Sequence, residues 1–171
     1  MRINLIIVSH YPITGGYMHK GKIAFVVGHA HWGKSKTLRT LTNGNFRLRK
    51  ATIGGVEFFI RRMSNDDQPK GYVEFMKSLD PALRPYLIAA LCPQFDDPTA
   101  ATNSILTTLR AKGYQLFFWV IEHQYGTTEV VSAKEIQRLR SFGKVEVFSA
   151  TAESTARSKS FKHFVSNVVL G

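Results

Sequence analysis

The chain has 171 residues, of which 44% are hydrophobic, and its formal net charge is +11. This length supplies one well-filled core and excludes two ordinary domains. No apolar run approaches the roughly 20 residues of a membrane-spanning helix, and the single cysteine excludes an internal disulfide, so we expect a cytoplasmic protein without membrane insertion.

The positive charge is concentrated at the start of the chain. Residues 1–63 hold 11 Lys and Arg and one acidic residue, whereas residues 64–171 hold 12 Lys and Arg and 11 acidic residues. A surface with such an excess of positive charge attracts anionic ligands. The asymmetry therefore indicates a polyanionic partner, either a nucleic acid or an acidic protein.

The first elements in chain order are a leader and a strand. Residues 1–21 contain a short strand-like run and loop-like sequence, and they are predicted to be an added edge strand or a disordered extension. Residues 22–171 are predicted to form a single domain, which begins with the apolar strand 22–28.

The segment after this strand carries the most specific motif. Residues 28–35 read Gly-His-Ala-His-Trp-Gly-Lys-Ser and match G-x-x-x-x-G-K-[ST] between a strand and a helix predicted from Lys34 to Leu41. Successive backbone N–H groups of such a loop bind an anion, Lys34 reaches the terminal phosphates, and Ser35 holds Mg²⁺. The predicted nucleotide-binding residues here are Gly28, His29, Ala30, His31, Trp32, Gly33, Lys34, Ser35 and Lys36. The segment resembles the Walker A loop of the P-loop NTPases.

An antiparallel hairpin is predicted next, from strands over residues 46–50 and 56–63 with a turn at Gly54-Gly55. Apolar and basic residues alternate in its first strand, which predicts that Phe46 and Leu48 enter the core and leave a basic face. That face is either an ordinary solvated surface or a contact for nucleic acid or an acidic partner. The candidate contact residues are Arg47, Arg49, Lys50, Arg61 and Arg62.

Two adjacent carboxylates, Asp66 and Asp67, follow the hairpin at the end of a strand, where an α/β sheet places its ligands. They are predicted to orient Mg²⁺, and Gln68 is a candidate to orient an attacking water. A helix over 72–79 and a buried strand over 86–92 follow. That strand ends in Cys92-Pro93, where many P-loop ATPases carry an acidic residue.

The rest of the chain repeats strand and helix. Asp97-Pro98 is predicted to open a helix that runs to Lys112, and strands are predicted over 114–121 and 145–148. A capping box beginning at Ser132 predicts another helix, and apolar spacing over 158–169 predicts a terminal one. Arg157 and Lys159, before that last helix, are candidates for charge stabilisation.

These elements predict a three-layer α/β/α fold with a mostly parallel sheet of about six strands and one antiparallel hairpin strand. The order resembles the Ras-like GTPase domain over residues 22–169. In that family a Ser-Ala segment lies beside the nucleotide base, and Phe148-Ser149-Ala150-Thr151 is similar to it. The resemblance implies base contacts from His123, Ser149, Ala150 and Thr151.

The base itself stays open between ATP and GTP. Where the family carries Asn-Lys-x-Asp for guanine, this chain has Glu-His-Gln-Tyr at residues 122–125. The predicted function is Mg²⁺-dependent nucleoside triphosphate binding and hydrolysis, as a switch or an assembly subunit of open oligomeric state. The alternatives are a P-loop kinase that transfers the terminal phosphate and a nucleotide-regulated nucleic-acid-binding module. The candidate catalytic residues are Lys34, Asp66, Asp67 and Gln68, and the candidate metal ligands are Ser35, Asp66 and Asp67.

Overall fold

A computed structural model describes residues 21–149 and 153–171. Within these residues the chain forms six strands, which are β1 Gly21–Val27, β2 Lys50–Ile53, β3 Val56–Arg61, β4 Tyr86–Leu91, β5 Tyr114–Ile121 and β6 Lys144–Phe148. They form one sheet in the order β2-β3-β4-β1-β5-β6, in which only the β2–β3 pair is antiparallel. The predicted fold class is confirmed, whereas the edge strand or extension predicted for residues 1–21 lies outside the described residues except for Gly21, which begins β1.

Five helices cover this sheet in the described part of the chain. They are α1 Lys34–Thr40, α2 Pro69–Ser78, α3 Thr102–Ala111, α4 Ala133–Arg140 and α5 Ser154–Phe164, and α5 continues as a π-helix over Val165–Val169. Helices α1 and α5 pack together, and α2 packs against α3, which gives a layer on each face of the sheet. None of these helices combines the length and the apolarity that a bilayer crossing requires.

The core is centred on β1, β4 and β5, the three strands that have a parallel partner on each side within the sheet. Their side chains are buried almost without interruption, as expected for parallel strands that are covered on both faces. Phe25 of β1 stacks on Phe118 of β5, with ring centroids 5.4 Å apart. The buried Tyr72 of α2 donates its hydroxyl to the carbonyl of Ala90 on β4. The strand that leads into the 28–35 loop is paired along its length with β4 on one side and with β5 on the other.

The first hairpin strand was predicted at the wrong residues. β2 begins at Lys50 rather than Phe46, and Phe46 and Leu48 are 61% and 50% exposed instead of entering the core. The buried guanidinium of Arg62 donates to the carbonyls of Asn45 and Phe46, which holds this stretch as a turn. The hairpin itself and its glycine turn, where Gly54 and Gly55 have φ of 58° and 77°, are confirmed.

Helix α3 begins at Thr102, so the prediction that Asp97-Pro98 opens it is wrong. The Asp97 carboxylate instead accepts a hydrogen bond from the Thr99 N–H at 2.8 Å, which closes a separate turn. The capping box of α4 is confirmed, because the Ser132 side chain accepts from the Glu135 N–H and the Glu135 carboxylate accepts from the Ser132 N–H. Helices α2 and α5 begin three and four residues before their predicted starts at 72 and 158.

Candidate functional site

The loop between β1 and α1 lies at the carboxyl edge of the sheet, near its centre. β1 stands between β4 and β5, and the connection from β1 leads to β2 at one edge, whereas the connection from β5 leads to β6 at the other. Ligands of α/β sheets bind where successive connections diverge in this way. The topology therefore places residues 28–35 at the position in the fold best suited to a ligand.

The backbone of this loop is arranged as an anion site. His31 and Gly33 have φ of 63° and 84°, the left-handed conformation that reverses the direction of neighbouring N–H groups and that glycine adopts without strain. In the described part of the chain, no acceptor bonds the N–H groups of Ala30, His31, Gly33, Lys34 and Ser35. Donors that protein acceptors leave free in a loop of this shape are suited to phosphate oxygens.

Lys34 turns its side chain back to the beginning of the loop. Its Nζ donates to the carbonyls of Gly28 and His29, at 2.8 Å each, and lies 3.6 Å from Oδ2 of Asp66. Both charged side chains are nearly buried, so each depends on the other to offset the loss of its hydration. The predicted lysine and one of the two predicted carboxylates therefore meet in one buried ion pair.

Asp66 reaches this position from a strand that does not neighbour β1. β4 lies between β1 and β3 and is followed by Cys92, whose thiol is buried beside Asp66 and lies 3.9 Å from Nδ1 of His29. Burial raises the pKa of the Cys92 thiol to about 12, and the Lys34 charge opposes this rise. The residue that follows β4 is therefore a neutral thiol rather than an acid. The carboxylate beside Lys34 comes instead from Asp66, in the turn after β3.

Asn65, which sequence reasoning missed, fixes the turn that carries both carboxylates. Its fully buried side chain donates through Nδ2 to the carbonyls of Cys92 and Ala100 and to Oγ1 of Thr102, and its Oδ1 accepts from the Cys92 N–H at 2.7 Å. These bonds tie the turn after β3 to the end of β4 and to the start of α3. No local sequence pattern marks such a residue, because all its partners are at least 27 positions away.

A cavity of about 410 Å³ opens beside the loop. Its lining residues are His31, Trp32, Gly33, Lys34, Ser35, Lys36, Arg39 and Asp67. All were predicted from the sequence except Arg39, which stands one helical turn after Ser35 and so shares its face of α1. The cavity joins the loop, the first turn of α1 and the acidic turn, and three of its side chains, Lys34, Lys36 and Arg39, are basic.

Asp67 and Ser35 already have partners within the protein. The Asp67 Oδ2 atom accepts from the backbone N–H and the hydroxyl of Ser64, and the same hydroxyl contacts Oδ1 of Asp66. Ser35 Oγ donates to the carbonyl of Arg62 at 2.9 Å. The acidic turn is thus held from within, and the Ser35 hydroxyl uses its hydrogen on Arg62 while its oxygen lone pairs stay available to a metal.

His29 and Trp32 belong to the packing of the loop. Trp32 is buried, and its ring meets that of His29 edge-on at 5.1 Å between centroids. His29 Nε2 lies 3.4 Å from Oε1 of Glu135 on the first turn of α4. Burial opposes ionisation of Glu135, but hydrogen bonds from His29 and Ser132 together lower the pKa of its carboxyl below the ordinary value. The loop is therefore attached to α4 as well as to α1.

Arg157 of α5 supports the loop from another side. Its side chain is only 6% exposed, and Nη1 donates to the carbonyl of Trp32 at 2.7 Å. A Cβ atom added to Gly33 would lie 2.9 Å from the same nitrogen, so glycine is needed there for close approach as well as for its φ. Burial lowers the pKa of the guanidinium. No carboxylate of the described residues lies within ion-pair distance of it, and residues 1–20 and 150–152 contain no Asp or Glu.

The remaining predicted site residues lie apart from the cavity lining. Gln68 is exposed at the start of α2, and Ser149 is exposed after β6. His123 forms a bridge to Val130, and its Nε2 lies 3.2 Å from Oε2 of Glu122. The predicted base contacts at residues 150 and 151 lie outside the described residues. The structure thus brings together the phosphate half of the predicted site.

The five candidate partner residues of the hairpin divide into two groups. Arg62 is buried and Arg61 is half-buried with its guanidinium 5.0 Å from the Phe75 ring centroid, so these two side chains are less available to a partner than the other three, and their predicted partner contacts stay predictions. Arg47, Arg49 and Lys50 are exposed, and Lys50 pairs with Glu57 at 2.7 Å.

The donors near the loop fit magnesium better than a tightly caged metal. Among the described residues, no group of three or more His, Cys, Asp and Glu side chains is arranged to hold a metal ion. Ser35, Asp66 and Asp67 offer hard oxygen atoms, and Mg²⁺ commonly takes one or two carboxylates together with water and substrate phosphates. This donor set suits a metal that arrives with a phosphate ligand.

Comparison of the chain with protein-family models, with curated proteins and with solved structures found no match. The function is therefore inferred from the residues and geometry of the site alone.

Proposed function

We propose that this chain binds a nucleoside triphosphate with Mg²⁺ in the 28–35 loop and hydrolyses it. The observation that supports the proposal is the loop itself. Its backbone N–H groups on either side of Trp32 have no acceptor among the described residues, and the Lys34 side chain is bonded to the first two carbonyls of the same loop. The Lys34 ammonium is held at the start of the loop, 3.6 Å from the single carboxylate of Asp66. Free amide donors and a fixed ammonium beside an oxygen-ligand set are the chemistry that a Mg²⁺-phosphate ligand needs.

Binding follows from the distribution of charge around the cavity. The loop N–H groups and Lys34 accept the terminal phosphates, and Lys36 and Arg39 add positive charge along the exposed side of the cavity. Arg157 leaves an uncompensated positive charge behind Gly33. The choice between ATP and GTP belongs to contacts with the base, and both remain candidates.

Hydrolysis in this site is a matter of position and charge. Water attacks the terminal phosphorus, the bond from that phosphorus to the bridging oxygen breaks, and the products are a nucleoside diphosphate and inorganic phosphate. Lys34 stabilises the charge that develops on the oxygens, and Asp67, which lines the cavity, accepts a hydrogen bond from the attacking water. Ser35, Asp66 and Asp67 would hold Mg²⁺, which neutralises phosphate charge when bound.

The test is a binding titration with fluorescent ATP and GTP, each with and without Mg²⁺, followed by competition with unlabelled ATP, GTP, CTP and UTP. Lys34→Ala is expected to weaken binding by about a hundredfold, since it removes a charge-assisted contact. Lys70→Ala removes an equivalent charge from an exposed position on α2 outside the cavity and should bind as the wild type does. Unchanged affinity in a folded Lys34→Ala protein would refute the proposal.

Because Lys34→Ala leaves the Asp66 carboxylate without its partner, a second variant guards against simple unfolding. Ser35→Ala removes a metal ligand and only one part-buried hydrogen bond, so its melting temperature should fall by no more than about 5 °C while it loses the Mg²⁺-dependent part of the affinity. Release of inorganic phosphate, measured with and without added acceptor alcohols, then separates a hydrolase from a phosphotransferase. Phosphate release that is the same with and without an acceptor indicates hydrolysis, whereas a phosphorylated acceptor with a matching loss of free phosphate indicates a kinase.

A further inference from the structure

A second surface lies beside the cavity, on the segment that joins α1 to β2. Residues 43–50, called here the basic loop, are all exposed. Phe46 and Leu48 are 61% and 50% exposed, and they alternate with Arg47 and Arg49. Large apolar side chains presented between arginines cost solvation free energy unless a partner covers them.

The basic loop is firmly held despite its exposure. Arg62 donates to Oγ1 of Thr42 at 2.8 Å and to the carbonyls of Asn45 and Phe46, and the Thr42 hydroxyl donates to the Asn45 carbonyl. The Gly44 N–H also donates to the carbonyl of Arg39 at 3.0 Å. A buried arginine is thus used to fix the backbone of a turn whose own side chains face water. The presentation of Phe46 and its neighbours is a property of the fold.

The charge around the basic loop is positive and largely unpaired. Arg47 and Arg49 have no carboxylate within ion-pair distance among the described residues, and residues 1–20 contain no acid. Burial and the nearby positive charges of Arg49 and Arg39 lower the pKa of Arg62, so Arg49 and Arg39 are close enough to repel its guanidinium electrostatically. Arg39 also lines the phosphate cavity, so the positive surface runs from the cavity to the basic loop.

We propose that the basic loop binds single-stranded nucleic acid, with Phe46 stacking on a base and Arg47 and Arg49 contacting phosphates. An exposed aromatic ring flanked by arginines fits an unstacked base between two phosphates, and an acidic peptide offers no equivalent flat face. The Arg47 guanidinium lies 5.8 Å from the Phe46 ring centroid, so one nucleotide reaches both side chains. Bases in a duplex are stacked on one another, which favours a single strand. This surface is distinct from the triphosphate cavity and its function does not depend on hydrolysis.

The experiment measures fluorescence anisotropy of labelled oligo(dT) and oligo(rU) of about 20 nucleotides, over a salt series that begins at about 50 mM. Arg47→Gln/Arg49→Gln should weaken binding at least tenfold at low salt and reduce the slope of log affinity against log salt by about 1.4, because two phosphate contacts are lost. Phe46→Ala should weaken binding about tenfold with an unchanged slope.

A charge-matched control is Lys77→Gln/Arg140→Gln, which removes two exposed positive charges at the carboxyl ends of α2 and α4. Those helix ends lie toward the amino ends of the parallel strands, whereas the basic loop is bonded to Arg62 at the carboxyl end of β3. Binding by this control should therefore stay within about twofold of the wild type. Lys34→Ala should also bind the oligonucleotide normally, which separates this surface from the triphosphate site. Melting curves of each variant check that it is folded.

Four outcomes overturn the proposal. They are no binding at low salt, equal loss in the Lys77→Gln/Arg140→Gln control, displacement by poly-glutamate as effective as by oligonucleotide, and equal affinity for duplex and single strand with no effect of Phe46→Ala. The third of these results assigns the basic loop to an acidic protein, and the fourth assigns it to charge alone.

Discussion

Asn65→Ala tests whether one buried amide positions the acidic turn. In the wild type the side chain is completely buried and makes four hydrogen bonds, to Cys92 twice, to Ala100 and to Thr102. Alanine fits the same space without steric conflict but offers none of these bonds. The turn that carries Asp66 would then be joined to β4 and α3 only through its backbone.

The size of the effect follows from which groups are left without partners. The Cys92 N–H loses its acceptor and stays buried, which costs about 1–3 kcal/mol. The carbonyl of Cys92 keeps its bond from Thr102 Oγ1, whereas that of Ala100 loses its donor from Asn65. These remaining losses add about 1 kcal/mol each, so unfolding should become easier by roughly 3–4 kcal/mol. For a domain of this size the melting temperature should fall by roughly 10 °C.

The assay pairs thermal melting with triphosphate titration. Asn167→Ala is the matched control, because that side chain is exposed and contacts only the ring of His163, and it should change stability by less than about 0.5 kcal/mol. Below its melting temperature, Asn65→Ala should also bind Mg²⁺-triphosphate more weakly, since Asp66 is the next residue. A melting temperature within about 2 °C of the wild type would refute the hydrogen-bond account. Wild-type affinity in the folded variant would refute the positioning role.

Two further predictions concern groups that contact the loop. Arg157→Ala should weaken triphosphate binding about tenfold in the same titration, because it removes a charged hydrogen bond to the Trp32 carbonyl. Lys159 is an exposed neighbour on α5, and Lys159→Ala should bind within about twofold of the wild type. Equal affinities for the two variants would contradict this role of Arg157. The Cys92 thiol is buried, and its pKa is raised to about 12. At about pH 8 iodoacetamide should therefore alkylate it at least about a hundredfold more slowly in the folded protein than in urea, as followed by mass spectrometry. Equal rates in the two conditions would show that the thiol is accessible.

The sheet was predictable wherever a strand is buried on both faces. β1, β4 and β5 are short apolar runs with turn residues at their ends, and burial in a parallel sheet requires just that composition. Residues 46–50 were not predictable in the same way. Alternating Phe, Arg, Leu and Arg suits an edge strand and an exposed turn equally, and the choice is made by hydrogen bonds from Arg62, 16 residues further along the chain from Phe46.

The site divides along the same line between local and distant contacts. Residues 28–35 act through their own backbone, so a short motif is sufficient to find them. Asn65 and Arg157 act on residues that are 27 to 125 positions away, and no spacing within the chain signals those contacts. Asp97 shows the reverse error, since its local sequence is typical of a helix start but its carboxylate closes a turn.

The neutral thiol at residue 92 explains how the site keeps its charges balanced before a ligand arrives. One buried cation, Lys34, faces one carboxylate, Asp66, which comes from the turn after β3 because β4 separates β3 from β1. A second carboxylate at residue 92 would lie beside Asp66, and like charges in a buried place raise one another's pKa and favour a proton between them. With a thiol there, Asp66 faces Lys34 at 3.6 Å without that second carboxylate beside it. Among the described residues, the positive charges of Lys36, Arg39 and Arg157 are then left without acidic partners, which is the excess that the proposed triphosphate would require.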